Sequence, residues 1–480
     1  MARLGTPLAT LALATALAGC AVGPTYRSPL PAAPAQGAFQ SAAAAAFAPE
    51  PPPGDWWRLY RDPVLDGLVA EALAANTDLR VAAANLRQAR ASVAEARAGL
   101  LPTTTTSAGV QRGRVPAQGP GVPAQTGNSF DVGLDVSYEV DLFGKLRRTI
   151  EAARAEAGSV KAAYDLAQIN VAAETARAYG DACSANQQLA VARRSLELEQ
   201  RSYDLTVRLL NAGRDNALDT ARVGALLEQT RASLPSLEAS RSSALFRLAV
   251  LTGRPPSEFA PEAAACAAPP TLTMPIPVGD GAALLRRRPD VREAERTLAA
   301  ATARVGVATA DLYPSVTLGG SVGSTAASLG GLGSQPAFRW SMGPLIQWNF
   351  PNLFAAKARL GEARAAAESA LASFDGTWLV ALRDTETALI RYAKDLDRVS
   401  DLTRARDQSA KAQLAAEQRF RAGYVSSLDL LDAERTLAAA ETAEAQAQAQ
   451  VADDQITLFL SLGGGWENAG PSPAVKSVTP

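Results

Sequence analysis

Two stretches of the chain alternate between apolar and polar residues. Between Phe130 and Val140, and again between Phe338 and Phe350, nearly every second residue is apolar. A period of two places these side chains on one face of a β-strand. Two weaker segments, richer in Thr, Gly and Ser, precede them, so the pattern predicts four strands. Their approximate bounds are 103–113, 129–141, 314–324 and 337–350.

Each strong segment is long enough to cross a bilayer as a tilted strand, which takes about 9 to 11 residues. Aromatic residues stand towards both ends of these segments, as in the interfacial girdle of a membrane barrel. The alternative is one sheet of a soluble β-sandwich. A four-stranded sheet does not close into a barrel, and a membrane sheet must be closed. The membrane interpretation therefore requires strands from several protomers.

Long helical patterns dominate the rest of the sequence. Residues 145–210 and 355–420 contain no proline, and each span would form a helix of roughly 99 Å at ~1.5 Å per residue. Leu196, Tyr203 and Leu210 have heptad spacing, which is typical of helices that pack side by side. Shorter return helices are predicted at about 217–252 and 427–462. No run of 18 apolar residues follows the N-terminal segment, so we expect no transmembrane helix.

The chain repeats itself at a spacing of about 210 residues. The pairs separated by 210 positions are Gly213 and Gly423, Leu218 and Leu428, and Asp219 and Asp429. In each copy an Ala-Gly pair ends a long helix and a Leu-Asp pair opens the return helix, which predicts a helical hairpin. The chain is therefore an internal tandem duplication. We place the repeats at 55–260 and 261–463, with hairpin tips at about 211–217 and 421–427 and a C-terminal tail at 464–480.

The N-terminus has the features of an exported bacterial lipoprotein. Residues 1–19 have the pattern of a signal peptide, and Leu17-Ala-Gly-Cys20 resembles a lipobox. Cleavage before Cys20 would leave a lipidated cysteine as a membrane anchor, and Ala21 indicates delivery to the outer membrane. Residues 20–54, rich in Pro and Ala, are predicted to form an extended tether. The alternative is an ordinary signal peptide with a chance cysteine.

Composition excludes several classes of function. With 47 basic and 48 acidic side chains, the chain has no charge excess for binding nucleic acid. It contains no histidine, the commonest general base and metal ligand. The Gly-rich stretch 319–333 lacks the Gly-Lys-Ser/Thr ending of a phosphate loop. We therefore expect no enzymatic activity, no cofactor and no metal site.

Several motifs, spread over the whole chain, resemble those of one known family. They are the lipobox ending at Cys20, Asp62-Pro-Val-Leu-Asp-Gly-Leu-Val69, Leu285-Arg-Arg-Arg-Pro-Asp-Val291, Ala308-Thr-Ala-Asp-Leu-Tyr-Pro314, Arg421-Ala-Gly423 with Leu430-Leu-Asp-Ala433, and Leu462-Gly-Gly-Gly-Trp466. Together they resemble the TolC-like outer membrane factor family, and within it the NodT-type efflux lipoproteins. The chain is thereby identified as a mixed α and β membrane protein.

The resemblance implies a homotrimer. Each protomer would give four strands to a twelve-stranded outer membrane β-barrel, and long antiparallel helices would form a periplasmic α-barrel. The implied function is passive export of small molecules, such as drugs, toxic compounds or metal ions. The implied partners are a periplasmic adaptor (membrane fusion protein), an inner membrane transporter of the resistance-nodulation-division (RND) type, and outer membrane lipid. The alternatives are the outer membrane duct of a type I protein secretion system and a structural coiled-coil lipoprotein.

The hairpin tips are the candidate functional site, because in this family the return helix after the second tip closes the pore. The gate residues implicated by motif match are Leu428, Asp429, Asp432 and, as ion-pair partner, Arg421, with Asp219 and Arg222 as the first-repeat equivalents. Like charges that meet on a threefold axis repel one another or bind cations, so the closed state should respond to pH and salt. The alternative is that these are solvated charges at helix starts. The adaptor is expected to contact the grooves around Gly213 and Gly423.

The remaining cysteines, Cys183 and Cys266, lie at similar expected heights above the first tip. Cys183 precedes Asn211 by 28 residues (211 − 183), roughly 42 Å of helix, and Cys266 follows a return helix of about 36 residues, roughly 54 Å. A disulfide between them is compatible with an oxidising periplasm. Two free thiols are the alternative that the sequence leaves open.

Overall fold

The structure, a computed structural model, describes residues 21–29, 33–115, 124–214, 216–272 and 274–464. These residues form two compact units. The strand unit contains the described parts of 85–161 and residues 293–375, together with 21–29 of the N-terminal segment. The hairpin unit contains the described parts of 31–84, 162–292 and 376–480.

The observed elements match the hydrophobic patterns closely. The helices are α1 (Pro63–Ala75), α2 (Thr77–Ala98), α3 (Lys145–Asn211), α4 (Ala217–Leu251), α5 (Pro261–Ala264), α6 (Gly281–Arg287), α7 (Pro289–Ala310), α8 (Phe354–Arg421) and α9 (Ser427–Ser461). The strands are β1 (Phe47–Ala48), β2 (Thr103–Val115), β3 (Gln125–Val140), β4 (Ile276–Pro277), β5 (Ser315–Ala326) and β6 (Phe338–Gln347). The bounds of the four long strands differ from the predicted ones by at most four residues, and those of the four long helices by at most one.

Local signals explain where the helices begin and how long they run. Asp62 caps α1, because its Oδ1 accepts hydrogen bonds from the N–H groups of Val64 (2.9 Å) and Leu65 (3.2 Å), and Pro63 occupies the first helical position. The two longest helices, α3 with 67 residues and α8 with 68, run through Ala-rich, proline-free sequence. Among the described residues, no helix is both long enough and apolar enough to cross a bilayer.

The strand unit contains an antiparallel sheet in the order β2-β3-β5-β6. Its register places apolar residues opposite one another, Phe130 against Val110 and Trp340 against Val322. The apolar face is bare in the protomer, with Trp340 71% and Met342 84% exposed. Within the described residues β2 and β6 are each paired on one side only. Both edges therefore present unpaired backbone groups to a further chain.

The core of the hairpin unit is built around aromatic rings. Trp56 stacks on Phe459 from α9, with ring centroids 4.8 Å apart. Leu65 from α1 and Leu248 from α4 belong to the same buried cluster. The C-terminal ends of α4 and α9 therefore share one core with α1 and the segment that precedes it.

The segment 33–60 is an integral part of the hairpin unit. Phe39, Trp56 and Trp57 are buried, and β1 pairs in parallel with β4. The backbone N–H groups of Gln40 and Ser41 donate to the carboxylate of Glu386 at 2.7 and 2.9 Å. The prediction of an extended tether over residues 20–54 is therefore wrong for the part that contains Phe39 and β1. Phe39 packs into the core of the hairpin unit instead, because removing its aromatic side chain from water stabilises the packed arrangement.

Candidate functional site

Each predicted hairpin tip turns at a glycine in the left-handed conformation. Gly213 between α3 and α4 has φ 69°, and Gly423 between α8 and α9 has φ 77°. At the second tip the N–H of Gly423 donates to the carbonyl of Phe420 and that of Tyr424 to the carbonyl of Arg419, both at 2.9 Å. The first tip repeats this Schellman pattern. The duplication seen in the sequence is therefore a duplication of turn geometry.

The first turn of α9 is closed by reciprocal hydrogen bonds between Ser426 and Asp429. The N–H and Oγ–H of Ser426 donate to Asp429 Oδ2 at 2.9 and 2.7 Å, and the N–H of Asp429 donates to Ser426 Oγ at 3.4 Å. Ser426 holds the pKa of Asp429 below its usual value, because these bonds stabilise the ionised carboxylate. This predicted gate residue thus serves as a capping residue of its own helix.

Asp219 likewise bonds to the N-cap residue at the first tip, but through the side chain of Asn216. Asn216 Nδ2 donates to Asp219 Oδ2 at 2.7 Å, and the N–H of Asp219 donates to Asn216 Oδ1 at 2.9 Å. Arg222 Nη1 lies 3.3 Å from Asp219 Oδ1. Asp219 is buried and Arg222 is exposed. The first-repeat equivalents of the gate residues therefore form one local network.

Arg421 forms its ion pair within α8. Its guanidinium pairs with Glu417, one helical turn earlier. Within the protomer it is therefore the partner of Glu417 and not of Asp429 or Asp432. The sequence could not distinguish these acids, because all three lie within a few turns of the same tip.

Leu428 and Asp432 are the two predicted gate residues whose side chains remain available. Both are exposed. Asp432 lines a cavity of about 930 Å³ between α3, α4 and α9, together with Thr230 and Arg435. Among the described residues, the Asp432 carboxylate has no hydrogen-bond or ion-pair partner. An apolar side chain and a free carboxylate at a hairpin tip are suited to closing a pore by contact and by charge.

Sequence reasoning missed two buried carboxyl groups behind the tips, Glu199 on α3 and Glu434 on α9. For Glu434, the sequence contains a signal of burial. Glu434 lies between Leu430 and Leu437 at helical spacing, and all three are buried. An acidic residue inside such an apolar stripe indicates a buried carboxyl group.

Cys183 and Cys266 are joined by a disulfide bond. Next to it, Asn186 Nδ2 on α3 donates to the carbonyl of Cys266 at 2.7 Å and to that of Ala264 at 3.1 Å. Arg241 on α4 donates to the same Ala264 carbonyl at 3.0 Å. The segment after α4 is thus fixed to both helices of the first hairpin.

Two other sequence predictions concern chemistry away from the tips. Cys20, the predicted lipidation site, lies outside the described residues. Among the described residues, no group of three or more acidic or cysteine side chains is arranged to hold a metal ion.

The model of the outer membrane efflux protein family matches residues 68–254 and 282–464. The two matched ranges correspond to the two repeats of the sequence. Together they include both hairpin tips and all four strands of the sheet.

Individual relatives match over almost the whole chain. Nodulation protein T of Rhizobium leguminosarum bv. trifolii is 29% identical, with 97% of each chain covered. The probable efflux pump outer membrane protein TtgC of Pseudomonas putida is 30% identical, with 96% of each chain covered. The solved structure of the outer-membrane channel OprN superposes with a TM-score of 0.88 at 39% identity, covering 93% of this chain and 100% of that one. This protein therefore belongs to the outer membrane efflux protein family and has the fold of its channels.

Proposed function

We propose that this protein is the outer membrane exit duct of a tripartite efflux pump, through which small molecules leave the cell passively. The incomplete sheet is the observation that carries the proposal. Its bare apolar face needs lipid against it, and its two open edges, β2 and β6, need further strands. Three protomers with four strands each supply a twelve-stranded barrel and leave no open edge.

The polar face of the same sheet fits an aqueous lumen. On β3 it carries Asp131, Asp135 and Glu139. Asp131 Oδ2 accepts hydrogen bonds from Thr325 Oγ1 at 2.6 Å and from Arg339 Nη2 at 2.7 Å. In a membrane barrel, alternate residues face lipid and lumen. Charged and hydroxyl groups on one face are therefore consistent with a water-filled pore.

The long hairpins supply the periplasmic part of the duct. Three copies of the two tips form its inner end, where Leu428 and Asp432 close the pore. A periplasmic adaptor binds the grooves around Gly213 and Gly423, and an inner membrane RND-type transporter supplies the energy. The relative from Pseudomonas putida is named as an efflux pump component, which favours small-molecule efflux over protein secretion.

A lipid on Cys20 anchors the N-terminal segment to the outer membrane. We expect labelled palmitate to be incorporated into the wild type and not into Cys20→Ala. Signal cleavage should leave Cys20 as the first residue of the mature chain. Mass spectrometry that finds an unmodified N-terminal peptide would contradict the anchor without affecting the channel.

Single-channel conductance of the purified trimer in a planar bilayer tests the proposed function. We expect a small conductance in the wild type and a larger one in the double variant Asp429→Ala with Asp432→Ala. Because Asp429 also caps α9, Asp432→Ala alone and Ser426→Ala separate loss of gate charge from loss of the cap. A well-folded trimer that conducts in none of these forms would contradict the channel.

A further inference from the structure

Glu199 and Glu434 bring two carboxyl groups together in the interior of the hairpin unit. Glu199 on α3 is 1% exposed and Glu434 on α9 is 6% exposed. Ser202, three residues after Glu199 and so on the same face of α3, donates from Oγ to Glu434 Oε1 at 2.5 Å. Thr230 on α4 donates from Oγ1 to Glu199 Oε1 at 3.0 Å. The two acids therefore link α3, α4 and α9.

Each carboxyl group has one oxygen without a partner. Glu199 Oε2 and Glu434 Oε2 are buried and accept no hydrogen bond from the described residues. A buried ionised carboxylate is unfavourable unless a cation or several donors stabilise it. One hydroxyl donor for each acid does not meet this requirement, so a bound proton is the simplest way to satisfy the site.

The charges that act on Glu434 from neighbouring helices are also acidic. They are Glu199 on α3 and Glu417 on α8, and Glu417 is itself paired with Arg421. On α4, Glu228 and Arg231 pair with one another, and Arg231 also donates to Gln200 on α3.

The nearest charges on α9 itself face the cavity. Asp432 and Arg435 both line it and are exposed. Burial, supported by the charge of Glu199, raises the pKa of Glu434 to about 7. Burial also raises the pKa of Glu199.

We propose that Glu199 and Glu434 form a proton-binding site that holds the start of α9 against α3. With a proton bound, one carboxyl group can donate a hydrogen bond within the site and the like charges do not oppose packing. Without it, two buried carboxylates repel one another and α9 is held less firmly. The site lies two residues beyond Asp432, so it controls the helix that carries the proposed gate.

The sign of the pH effect follows from a folded pKa that lies above the ordinary value. The stabilisation that the proton gives to the packing of α9 is complete below the ordinary pKa of a glutamate. It is lost as the pH rises, and the loss ends above the folded pKa of Glu434, where the carboxyl group is ionised in the folded state as well. For a pKa of about 7 against an ordinary value of about 4.3, local opening of α9 should increase about tenfold between pH 6 and pH 8. The consequence for the channel rests on the proposed function, whereas the proton site itself does not.

Hydrogen exchange of the full trimer, corrected for the intrinsic rate at each pH, tests the site. Amides of residues 427–437 should be about tenfold less protected at pH 8 than at pH 6 in the wild type. Glu434→Gln, which keeps the acceptor for Ser202, should remove this difference. Glu199→Gln should move the transition to lower pH, because it removes the neighbouring charge.

Glu444→Gln is the matched control. Glu444 is also buried on α9, but its carboxylate accepts from Thr403 Oγ1 at 2.9 Å and pairs with Arg406 at 3.4 Å. This variant should keep the pH dependence of the wild type. An unchanged pH response in Glu434→Gln would overturn the proposal. Protection at pH 8 that depends on the Na⁺ or K⁺ concentration would identify a bound cation and would also overturn it.

Planar-bilayer recordings of the same variants separate the site from the function. Open probability should rise from pH 6 to pH 8 in the wild type and stay constant in Glu434→Gln. The expected exchange result without any channel activity would contradict the proposed function and leave the proton site standing. Channel activity without a pH response in hydrogen exchange would contradict the proton site and leave the proposed function standing.

Discussion

Ser426 and Asp429 bind each other through three hydrogen bonds across the first turn of α9. The motif that implicated Asp429 in gating therefore also contains a helix cap. A substitution of Asp429 changes the end of the helix as well as its charge. The two effects have to be separated before any gating phenotype is assigned to charge alone.

Ser426→Ala should destabilise the start of α9 by about 1 kcal/mol, since it removes the capping hydroxyl. Amide exchange of residues 427–430 measures the effect. Ser409→Ala is a suitable control, because Ser409 is half-buried within α8 and, among the described residues, its hydroxyl donates only to the carbonyl of Ala405 on the same helix. Equal protection in both variants would show that the cap contributes nothing.

Lowering the pH should also destabilise the start of α9 in the wild type. The pKa of Asp429 is lowered, so its capping contribution is complete above the ordinary value and is lost as the pH falls through the lowered folded value. We expect this acid-induced loss of protection at the start of α9 to begin below about pH 4. Ser426→Ala should show little of this acid response, because Ser426 provides the bonds that lower the pKa. A full acid response in Ser426→Ala would contradict this assignment.

Gly423→Ala should destabilise the second tip by about 1 kcal/mol, because a φ of 77° is unfavourable for a residue with a Cβ atom. A Cβ atom at this position would meet no neighbour, so the effect isolates backbone strain. Thermal unfolding in detergent and amide exchange at the tip measure it. Gly376→Ala in the interior of α8, where a Cβ atom also has open space, should instead stabilise the helix by about 1 kcal/mol. Destabilisation by Gly423→Ala together with stabilisation by Gly376→Ala would confirm that the tip requires a left-handed residue. Stabilisation by both variants would contradict it.

Reduction of the Cys183–Cys266 bond should lower the free energy of unfolding by about 2 to 4 kcal/mol, because the bond closes a long loop with a sequence separation of 83. Urea unfolding with and without reductant measures the change. Cys183→Ser with Cys266→Ser should match the reduced wild type and be insensitive to reductant. Peptide mapping that finds both thiols alkylated under non-reducing conditions would contradict the bond.

Asp454→Asn should stabilise the protein at pH 8, although the neighbouring Asp453→Asn should destabilise it. Asp454 is buried, and burial, together with Asp395, raises its pKa to about 6. Asp453 is half exposed and pairs with Arg177 at 2.6 Å. The raised pKa means that stability falls as the pH rises from about 4 to about 6.

The expected gain for Asp454→Asn is up to about 3 kcal/mol, at about 1.4 kcal/mol for each pKa unit. Unfolding curves at pH 4.5 and pH 8 measure it, and the gain should be present mainly at pH 8. Destabilisation by Asp454→Asn at pH 8 would show that the ionised carboxylate is stabilised by its surroundings.

Elements with strong local signals could be predicted from the sequence. The alternation in β3 and β6, the proline-free spans of α3 and α8, and the glycines at 213 and 423 each act through neighbours close in the chain. Their bounds were therefore predictable to within a few residues. The structure of residues 33–54 was not predictable in this way, because the burial of Phe39 depends on helices that lie far away in sequence.

The sequence by itself determined the duplication, the four strands, the long hairpins and the glycine turns, because each depends on backbone preferences and side-chain periodicity within a short window. Only the tertiary structure decided which partner each side chain has. It joined Cys183 to Cys266, paired Arg421 with Glu417, and buried Glu199 and Glu434 in one place. Burial and charge pairing depend on residues brought together from distant parts of the chain, and no local pattern encodes those distances.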